Sequence, residues 1–186
     1  MLELEKIRNL LKSDIAPQVE EQNTKPAAVM VVIYGREPNI VMIEKPRTMM
    51  LHGGEVAFPG GKITDTDEDL LDTALRETLE EISLGLTRRH VIGQLYPVHT
   101  RNSGFTIVPF VSVLESIPPL RANEEVEEIL HIPLDPFLRT LDLDDNEEHR
   151  SLFEAYKLTY RDKMVWGASA RILKQMADIF KLNDLL

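Results

Sequence analysis

Three glutamates on one face of a predicted helix constrain this chain more than any other feature of its sequence. From about Asp67 to Ile82, apolar residues recur at helical spacing, at Leu71, Leu75, Leu79 and Ile82. We expect Thr64, Thr66 or Asp67 to cap this helix. Since each helical residue turns by about 100°, Glu80 and Glu81 lie about 60° and 40° to either side of Glu77. The three carboxylates therefore occupy one narrow face and repel one another.

This repulsion favours a bound metal ion. Like charges at this spacing cost a few tenths of a kcal/mol per pair, a cost that a divalent cation reverses. Oxygen ligands suit Mg²⁺ or Mn²⁺. Just before the helix, Pro59-Gly60-Gly61 forms a tight turn, whose carbonyl and amide groups are open to a metal or a phosphate. The alternatives are an acidic face exposed to solvent and a turn that is purely structural.

The rest of the chain alternates β-rich runs with amphipathic helices. Helices are predicted from Leu2 to Lys12 and from about Ala168 to Phe180. Strands are predicted at Ala27–Tyr34, Ile40–Ile43, Val91–Tyr96, Phe105–Leu114 and Leu152–Tyr160. The acidic stretch from Asp142 to Glu148 is typical of a solvated loop. Strands interrupted by two or three helices predict an α/β fold, with a mixed β-sheet between helices on both faces.

Composition and charge exclude several classes of protein. No apolar run approaches the roughly 20 residues that span a bilayer, and no signal-peptide pattern opens the chain, so we expect a cytoplasmic protein without a membrane partner. The absence of cysteine excludes disulfides, thiolate zinc sites and cysteine nucleophiles. The net charge of −10 argues against a nucleic-acid partner. A small anionic substrate would need bound cations and a few local basic residues.

The segment from Gly61 to Leu84 resembles the Nudix box, the signature of the Nudix hydrolase superfamily. That box runs from a glycine through a glutamate to Arg-Glu, an apolar residue, any residue, Glu-Glu, and finally a glycine and an apolar residue. This chain supplies Gly61, Glu68, Arg76, Glu77, Glu80, Glu81 and Leu84. Three departures are visible. Six residues rather than five separate Gly61 from Glu68, Thr78 replaces the usual apolar residue, and Ser83 replaces the usual glycine. None of them removes a carboxylate.

The resemblance implies a fold that agrees with the pattern of elements. We expect a single Nudix domain over residues 1–186, a Nudix-type α/β/α sandwich with its box at about 61–84. Residues 1–22 would form an N-terminal helical extension. A homodimer is left open.

The resemblance also implies roles for the residues of the box. Glu77 and Glu81 would be the principal metal ligands, with Glu80 and the backbone of Gly61 as additional ones. Arg76 would orient a helix glutamate. The implied reaction is attack by water on one phosphorus of a diphosphate, with metal ions that neutralise the phosphate oxygens and lower the pKa of the water.

A second resemblance extends upstream, to Nudix hydrolases that cleave coenzyme A. Their signature has basic residues, then a glycine, three residues and Phe-Pro-Gly-Gly, which Gly54 and residues 58–61 match in register. Lys45 and Met50 stand where that signature has its two arginines, and Arg47 lies nearby. The loss of the arginines favours a different substrate, whereas the register of the glycines favours coenzyme A.

The run from Val165 to Leu173 adds to this second resemblance. It is similar to the Trp-Gly-x-Thr-Ala-Arg-Ile-Leu run of coenzyme A pyrophosphatases, with Ser169 for threonine, although Trp166 is expected to be mainly core or cap. The leading hypothesis is hydrolysis of coenzyme A or acyl-coenzyme A to (acyl-)phosphopantetheine and adenosine 3′,5′-bisphosphate. The alternatives are a Nudix enzyme for ADP-ribose, NADH or a nucleoside triphosphate, and a non-catalytic Nudix domain that senses a nucleotide.

The general base and the phosphate-binding residues are expected near the box. A helix glutamate or a carboxylate of the acidic cluster at 124–128 would take the proton, with Glu125 and Glu128 as candidates in that cluster. Basic residues in loops predicted to flank the site are candidates to bind the substrate phosphates; they are Lys45, Arg47, Lys62 and Arg101. Simple exposure to solvent is the alternative for each of these residues.

Overall fold

The computed structural model describes residues 3–19, 24–48, 53–100, 103–146 and 155–186. Within these ranges the α-helices are α1 Leu4–Leu11, α2 Leu70–Ile82, α3 Leu134–Leu138 and α4 Gly167–Leu182. The strands are β1 Lys25–Tyr34, β2 Asn39–Glu44, β3 Val56–Ala57, β4 Gly60–Lys62, β5 Val91–Gln94, β6 Val98–His99, β7 Phe105–Leu114, β8 Glu128–Pro133, β9 Asp142–Leu143, β10 Tyr156–Tyr160 and β11 Lys163–Trp166. No helix in the described ranges has the length and apolar character needed to cross a membrane.

The main sheet is mixed, because β1 and β7 run parallel while the other described pairs are antiparallel. The parallel register runs from Lys25 beside Phe105 to Tyr34 beside Leu114. On the other side of β1 lie β2 and β4, and β3 and β8 pair with β2. Beyond β7 lie β5 and β6. A second sheet contains β11, β10 and β9 in that order.

Side chains of β1 alternate between two hydrophobic layers, as the two-residue period of a strand requires. Met30 and Val32 pack with the buried residues of α2. Val31 and Ile33 pack with those of α1 and α4. The main sheet therefore lies between α2 on one face and α1 and α4 on the other, which confirms the predicted α/β/α fold with a mixed sheet.

The predicted long elements are present, with shifted ends. The strand from Phe105 to Leu114 has the predicted limits, and the predicted last helix is present and buries Leu173, Met176, Ala177 and Phe180. The predicted strand from Leu152 is described only from Tyr156 onward, since residues 147–154 lie outside the described ranges. The short elements β3, β4, β6, β8, β9, β11 and α3 were not predicted, because segments of two to six residues carry little periodicity.

The prediction of a solvated loop from Asp142 to Glu148 was wrong for residues 142–144, although residues 142, 143, 145 and 146 are exposed as expected and 147 and 148 lie outside the described ranges. Residues 142 and 143 form β9, which pairs with β10. Asp144 is 6% exposed, and its N–H donates to the carbonyl oxygen of Ala155 at 2.9 Å. Backbone pairing with β10 therefore decides the conformation of this segment, in spite of its acidic side chains.

Candidate active site

Helix α2 begins three residues later than predicted. Its N-cap is Asp69, whose carboxylate accepts a hydrogen bond from the N–H of Asp72 at 3.0 Å. The predicted caps were therefore wrong; they were Thr64, Thr66 and Asp67. A side-chain oxygen at the residue just before the first turn satisfies a free N–H group, and Asp69 occupies that position.

The buried face of α2 is not the predicted leucine stripe alone. Leu79 is 55% exposed, whereas Thr78 and Glu81 are buried. The hydroxyl of Thr78 donates to the carbonyl oxygen of Ala74 at 2.6 Å, so the residue that replaces the usual apolar one is satisfied inside the helix. The helix is rotated so that one of its glutamates faces the sheet.

Glu81 is that glutamate, with a side chain held against the turn before β4. It is 3% exposed, and Gly60 donates its N–H to Oε2 of Glu81 at 2.9 Å. Burial raises the pKa of Glu81 to about 7, and the charges of Glu77 and Glu125 act in the same direction, whereas the Gly60 hydrogen bond and the ammonium of Lys45 act against it. The site therefore holds a carboxyl group that titrates near neutral pH.

Glu77 lies one helical turn earlier and packs against Gly61. A Cβ atom on Gly61 would overlap the carboxylate of Glu77, and a Cβ atom on Gly60 would overlap the carbonyl oxygen of Ala28 on β1. The φ angle of Gly60, +154°, also lies in the region that favours glycine. The two glycines thus let the turn approach both the sheet and the glutamates.

Arg76 links the three carboxylates of this region. Its Nη1 donates to Glu77 at 2.9 Å and to Glu80 at 3.1 Å. Its Nε and Nη2 bind both oxygens of Asp67, at 2.8 and 3.0 Å. These hydrogen bonds hold the pKa of Asp67 well below its usual range and raise the pKa of Arg76. Asp67 is therefore the anchor for Arg76, which in turn orients the helix glutamates.

Ser83 ends the helix in the left-handed conformation that glycine favours. Its φ is 57° and its ψ 31°, and its N–H donates to the carbonyl oxygen of Leu79 at 3.0 Å. Its hydroxyl donates to the carbonyl oxygen of Arg121 at 3.1 Å. The serine thus adopts a conformation that glycine favours and forms a hydrogen bond to the following loop.

The two candidate bases lie in different surroundings, Glu125 in the loop after residue 120 and Glu128 at the start of β8. Asn123 donates its N–H to the carbonyl oxygen of Glu81 at 3.1 Å, and its side chain accepts from the N–H of Glu125 at 2.9 Å. The charge of Glu125 raises the pKa of Glu81. Glu128, in contrast, lies 3.0 Å from Nζ of Lys163, which also binds Glu44 at 2.5 Å. The charge of Glu125 acts on the helix carboxylates, whereas Glu128 belongs to an ion-pair cluster on β2, β8 and β11.

The donors of this site fit a hard divalent cation. Glu77 and Glu81 offer oxygen ligands one turn apart, in front of a turn without side chains. In the ranges that the structure describes, no three acidic or histidine side chains already enclose a metal position. Arg76 binds Glu77 and Glu80, and Gly60 binds Glu81.

Comparison with protein families identifies the family to which a chain with this site belongs. A model of the NUDIX domain matches residues 24–156, which include the turn, the whole of α2 and Glu125. This chain belongs to the Nudix family. The match covers well over half of the chain, and it places the carboxylate helix inside the matched region.

Relatives in two bacteria bear the name of uncharacterized Nudix hydrolase NudL. The Cronobacter sakazakii protein is 34% identical over 172 residues, which are 88% of each chain. The Yersinia enterocolitica protein is 35% identical over 159 residues, 83% of this chain and 81% of the relative. This Nudix protein is thus a hydrolase of a pyrophosphate-containing substrate.

Solved structures agree with the fold. The MutT/nudix family protein of Enterococcus faecalis superimposes with a TM-score of 0.60 at 14% identity, over 90% of this chain and 65% of that one. The MutT protein of Methanosarcina mazei Go1 gives 0.58 at 13% identity, over 89% and 99%. The NUDIX domain of Shewanella oneidensis NrtR, solved with ADP ribose, gives 0.52 at 18% identity, over 64% and 79%. At these identities the likeness concerns the fold.

The four basic candidates of this Nudix protein differ in their distance from the carboxylates. Lys45 lies near enough to Glu81 to lower its pKa. Arg47 is exposed and packs beside Gly54. Lys62 follows Gly61, but its ammonium lies 5.2 Å from the centre of the Phe105 ring. Arg101 lies outside the described residues.

Two contacts of the site were missed at the level of sequence. The bond between Asp67 and Arg76 joins residues on either side of the helix start, and no periodic pattern marks it. The carbonyl oxygen of Lys62 also accepts from Arg76, at 3.3 Å. The sequence did contain one signal, since Asp67 lies just before the helix and Arg76 lies about two turns into it. The same aspartate also fitted a helix cap.

Proposed function

We propose that this Nudix hydrolase cleaves the diphosphate of coenzyme A or acyl-coenzyme A, and releases (acyl-)phosphopantetheine and adenosine 3′,5′-bisphosphate. Mg²⁺ or Mn²⁺ is the proposed cofactor, held by Glu77 and Glu81 with Glu80 and the backbone of Gly61. When bound, the metal neutralises phosphate oxygens and lowers the pKa of the attacking water. The protein acts in the cytoplasm, as a single Nudix domain over residues 1–186.

The position of Lys45 is the observation that carries the choice of substrate. The coenzyme A signature has a basic residue there, and the ammonium of Lys45 acts on the buried carboxyl of Glu81. The Phe-Pro-Gly-Gly part of that signature lies at the same place, whereas Met50, which stands for its second arginine, lies outside the described residues. Phe58 is buried, Pro59 accepts a hydrogen bond from Met30 at 2.9 Å, and Gly60 binds Glu81. A cation in this loop supports binding of a phosphate beside the carboxylates.

The chain's own groups have separate tasks in the proposed reaction. Arg76 keeps the carboxylates of Glu77 and Glu80 oriented, because it is itself fixed by both oxygens of Asp67. Lys45 offsets negative charge near the scissile diphosphate. The turn at Gly60 and Gly61 leaves room for a phosphate, which a side chain at residue 61 would fill.

Glu125 is the proposed general base. Its charge acts on both Glu77 and Glu81, so it lies within electrostatic reach of the proposed nucleophile position. Glu128 is the second candidate, and its ion pair with Lys163 weighs against it, since the ammonium already occupies that carboxylate. Replacement of Glu125 by glutamine is therefore expected to lower kcat more than the same change at Glu128.

Product analysis by mass spectrometry tests the proposal. Purified protein with Mg²⁺ or Mn²⁺ is incubated with coenzyme A, ADP-ribose, NADH and nucleoside triphosphates, beside a Glu81→Ala control. We expect phosphopantetheine and adenosine 3′,5′-bisphosphate to form faster than the other products, and only with Glu81 intact. Preference for another diphosphate would refute the substrate, and retention of nucleotide binding without any cleavage would favour a sensor.

A further inference from the structure

Glu44 and Glu128 lie side by side at one end of the β2–β8 pair. They are direct partners in the antiparallel register, so their side chains point to the same face of the sheet, with Cβ atoms about 5 Å apart. Like charges directly opposite one another destabilise a pair of strands. The side chain of Glu44 is 9% exposed, and burial strengthens its repulsion with Glu128. A neighbouring cation therefore stabilises this end of the pair.

Lys163 supplies that cation from the second sheet. Its ammonium lies 2.5 Å from Glu44 and 3.0 Å from Glu128, and 14% of its side chain is exposed. The two carboxylates raise the pKa of Lys163, so the ammonium stays charged across the neutral range. Strand β11, which carries Lys163, lies against β3 of the main sheet. One largely buried cation thus joins two strands of the main sheet to the β10–β11 hairpin.

Glu44 is followed in the chain by Lys45, the cation proposed to offset charge at the diphosphate. Ile43 packs with the α2 layer, so Glu44 points to the opposite face of the sheet. Lys45 turns back to the α2 side, where its charge acts on Glu81. The end of β2 therefore carries the Lys163 contact on one face and a proposed substrate-binding residue on the other.

The segment that contains Glu125 is attached at both ends. At one end, Asn123 donates its N–H to the carbonyl oxygen of Glu81 at 3.1 Å. At the other end, Glu127 donates its N–H to the carbonyl oxygen of Glu44 at 2.9 Å. Glu125 is the middle one of the three residues between these two anchors. Its position therefore depends on the end of β2 as well as on α2.

We propose that Lys163 is a positioning residue for the proposed hydrolysis. It keeps the pair of Glu44 and Glu128 closed, and the closed pair fixes the two site groups that adjoin it. These groups are Lys45 and Glu125, the proposed phosphate-binding cation and general base, so the inference rests on the proposed function and deepens it. Lys163 acts through them, because its contact with Glu44 lies on the face opposite α2.

Loss of the Lys163 charge leaves two carboxylates opposed, and the strand ends then separate. Steady-state hydrolysis of coenzyme A, well below the melting temperature, measures the consequence. Lys163→Gln should lower kcat about ten-fold and raise KM about three-fold, since a misplaced base slows the reaction and a misplaced cation weakens binding. Lys163→Arg keeps the charge and should stay within about two-fold of wild type. Lys157→Gln is the matched control, a half-buried lysine on β10 of the same hairpin.

A double variant separates positioning from other roles of the lysine. Glu128→Gln added to Lys163→Gln should recover most of the lost kcat, because it removes the repulsion that the ammonium offset. A lysine that only packed the hairpin, or that touched the substrate, would not be replaced by the loss of a carboxylate. An unchanged kcat in folded Lys163→Gln, or no recovery in the double variant, would overturn the inference.

Hydrogen exchange with mass spectrometry tests the same placement without catalysis. In metal-free Lys163→Gln, residues 44–47 and 124–128 should exchange about five-fold faster than in wild type, since the N–H groups of Lys45 and Glu127 are bonded across these strand ends. Peptides from α2 should keep wild-type rates. Equal acceleration throughout the chain would contradict the inference, because it indicates a general loss of stability. The proposed function fails separately, if cleavage of coenzyme A does not depend on Glu81.

Discussion

Arg76 and Arg171 lie in opposite electrostatic surroundings on the two sides of the main sheet. Arg76 contacts three carboxylates, of which Asp67 and Glu77 raise its pKa. Arg171 contacts a carbonyl oxygen, and burial lowers its pKa. Negative groups are thus in excess where a cation is proposed to bind, whereas Arg171 forms no ion pair with an acidic residue in the part of the chain that the structure describes.

The largest effect that would sharpen this comparison is expected from Glu81→Gln. The substitution should lower kcat by about 10³-fold, since a proposed metal ligand and its charge are lost. The melting temperature of the metal-free protein should not fall. Burial disfavours the charged form of the Glu81 carboxyl, and glutamine can still accept the hydrogen bond from the N–H of Gly60. Steady-state kinetics and differential scanning calorimetry measure the two quantities.

Glu80→Gln is the matched control for that experiment. The side chain of Glu80 is 54% exposed and is held by Arg76, so we expect a loss of about ten-fold or less. Equal losses at both positions would contradict the difference between the buried and the exposed glutamate. A large fall in melting temperature for Glu81→Gln would show that its carboxylate is mainly structural.

The second largest effect is expected from Gly61→Ala. The added Cβ atom would overlap the Glu77 carboxylate, which must move away from the turn, and we expect kcat/KM to fall by about 100-fold. Gly85→Ala is the control, because the nearest atom outside its own neighbours, on Leu79, would lie 4.0 Å from the new methyl group. Activity close to wild type in Gly61→Ala would mean that the turn does not bound the reactive position.

Local and long-range parts of the site were predictable to different degrees. The closeness of Glu77 to Glu81, and their position after a glycine turn, follow from helix geometry within one segment and were predicted. The burial of Glu81 instead of Leu79 was not, since the periodicity of the leucines alone does not show how the helix is turned against the sheet. The ion pair of Lys163 with Glu44 joins residues 119 positions apart. No pattern within a single segment contains such a contact.

The distinction between local and long-range contacts also applies to the fold and to the surroundings of Arg171 on α4. The long strands and the helices were predicted because each carries its own periodicity. The surroundings of Arg171 come from three segments, β6, β10 and α4, which meet only in the folded chain. The run that includes Arg171 was noticed in the sequence, but as a family resemblance without a location for a site.

Asp67→Asn tests the carboxylate side through stability. The side chain of Asp67 is 3% exposed and binds Arg76 with both oxygens, so loss of its charge should lower the free energy of unfolding by about 2 kcal/mol at pH 7. Urea unfolding measures the change. Asp65→Asn, at an exposed position in the same loop, is the control and should change stability by less than about 0.5 kcal/mol.

The stability difference between wild type and Asp67→Asn should depend on pH in a defined direction. Hydrogen bonds from Arg76 lower the pKa of Asp67 in the folded state, so its contribution is present above the unfolded pKa of about 3.9 and is lost as the pH falls toward the folded value. The difference between wild type and Asp67→Asn should therefore shrink below about pH 4. A difference that grows on acidification would contradict the role given to Arg76.

The smallest effect is expected at Ser83, where the helix ends without contact with either side of the comparison. Relief of the left-handed conformation favours Ser83→Gly by about 1 kcal/mol, whereas loss of the hydroxyl bond to Arg121 and the flexibility of glycine together cost about as much. We expect Ser83→Gly to lie within about 0.5 kcal/mol of wild type in urea unfolding. Ser83→Ala keeps the conformation and loses the bond, so it should be about 1 kcal/mol less stable than wild type. An alanine variant that is more stable than the glycine variant would contradict the expectation that glycine relieves backbone strain at residue 83.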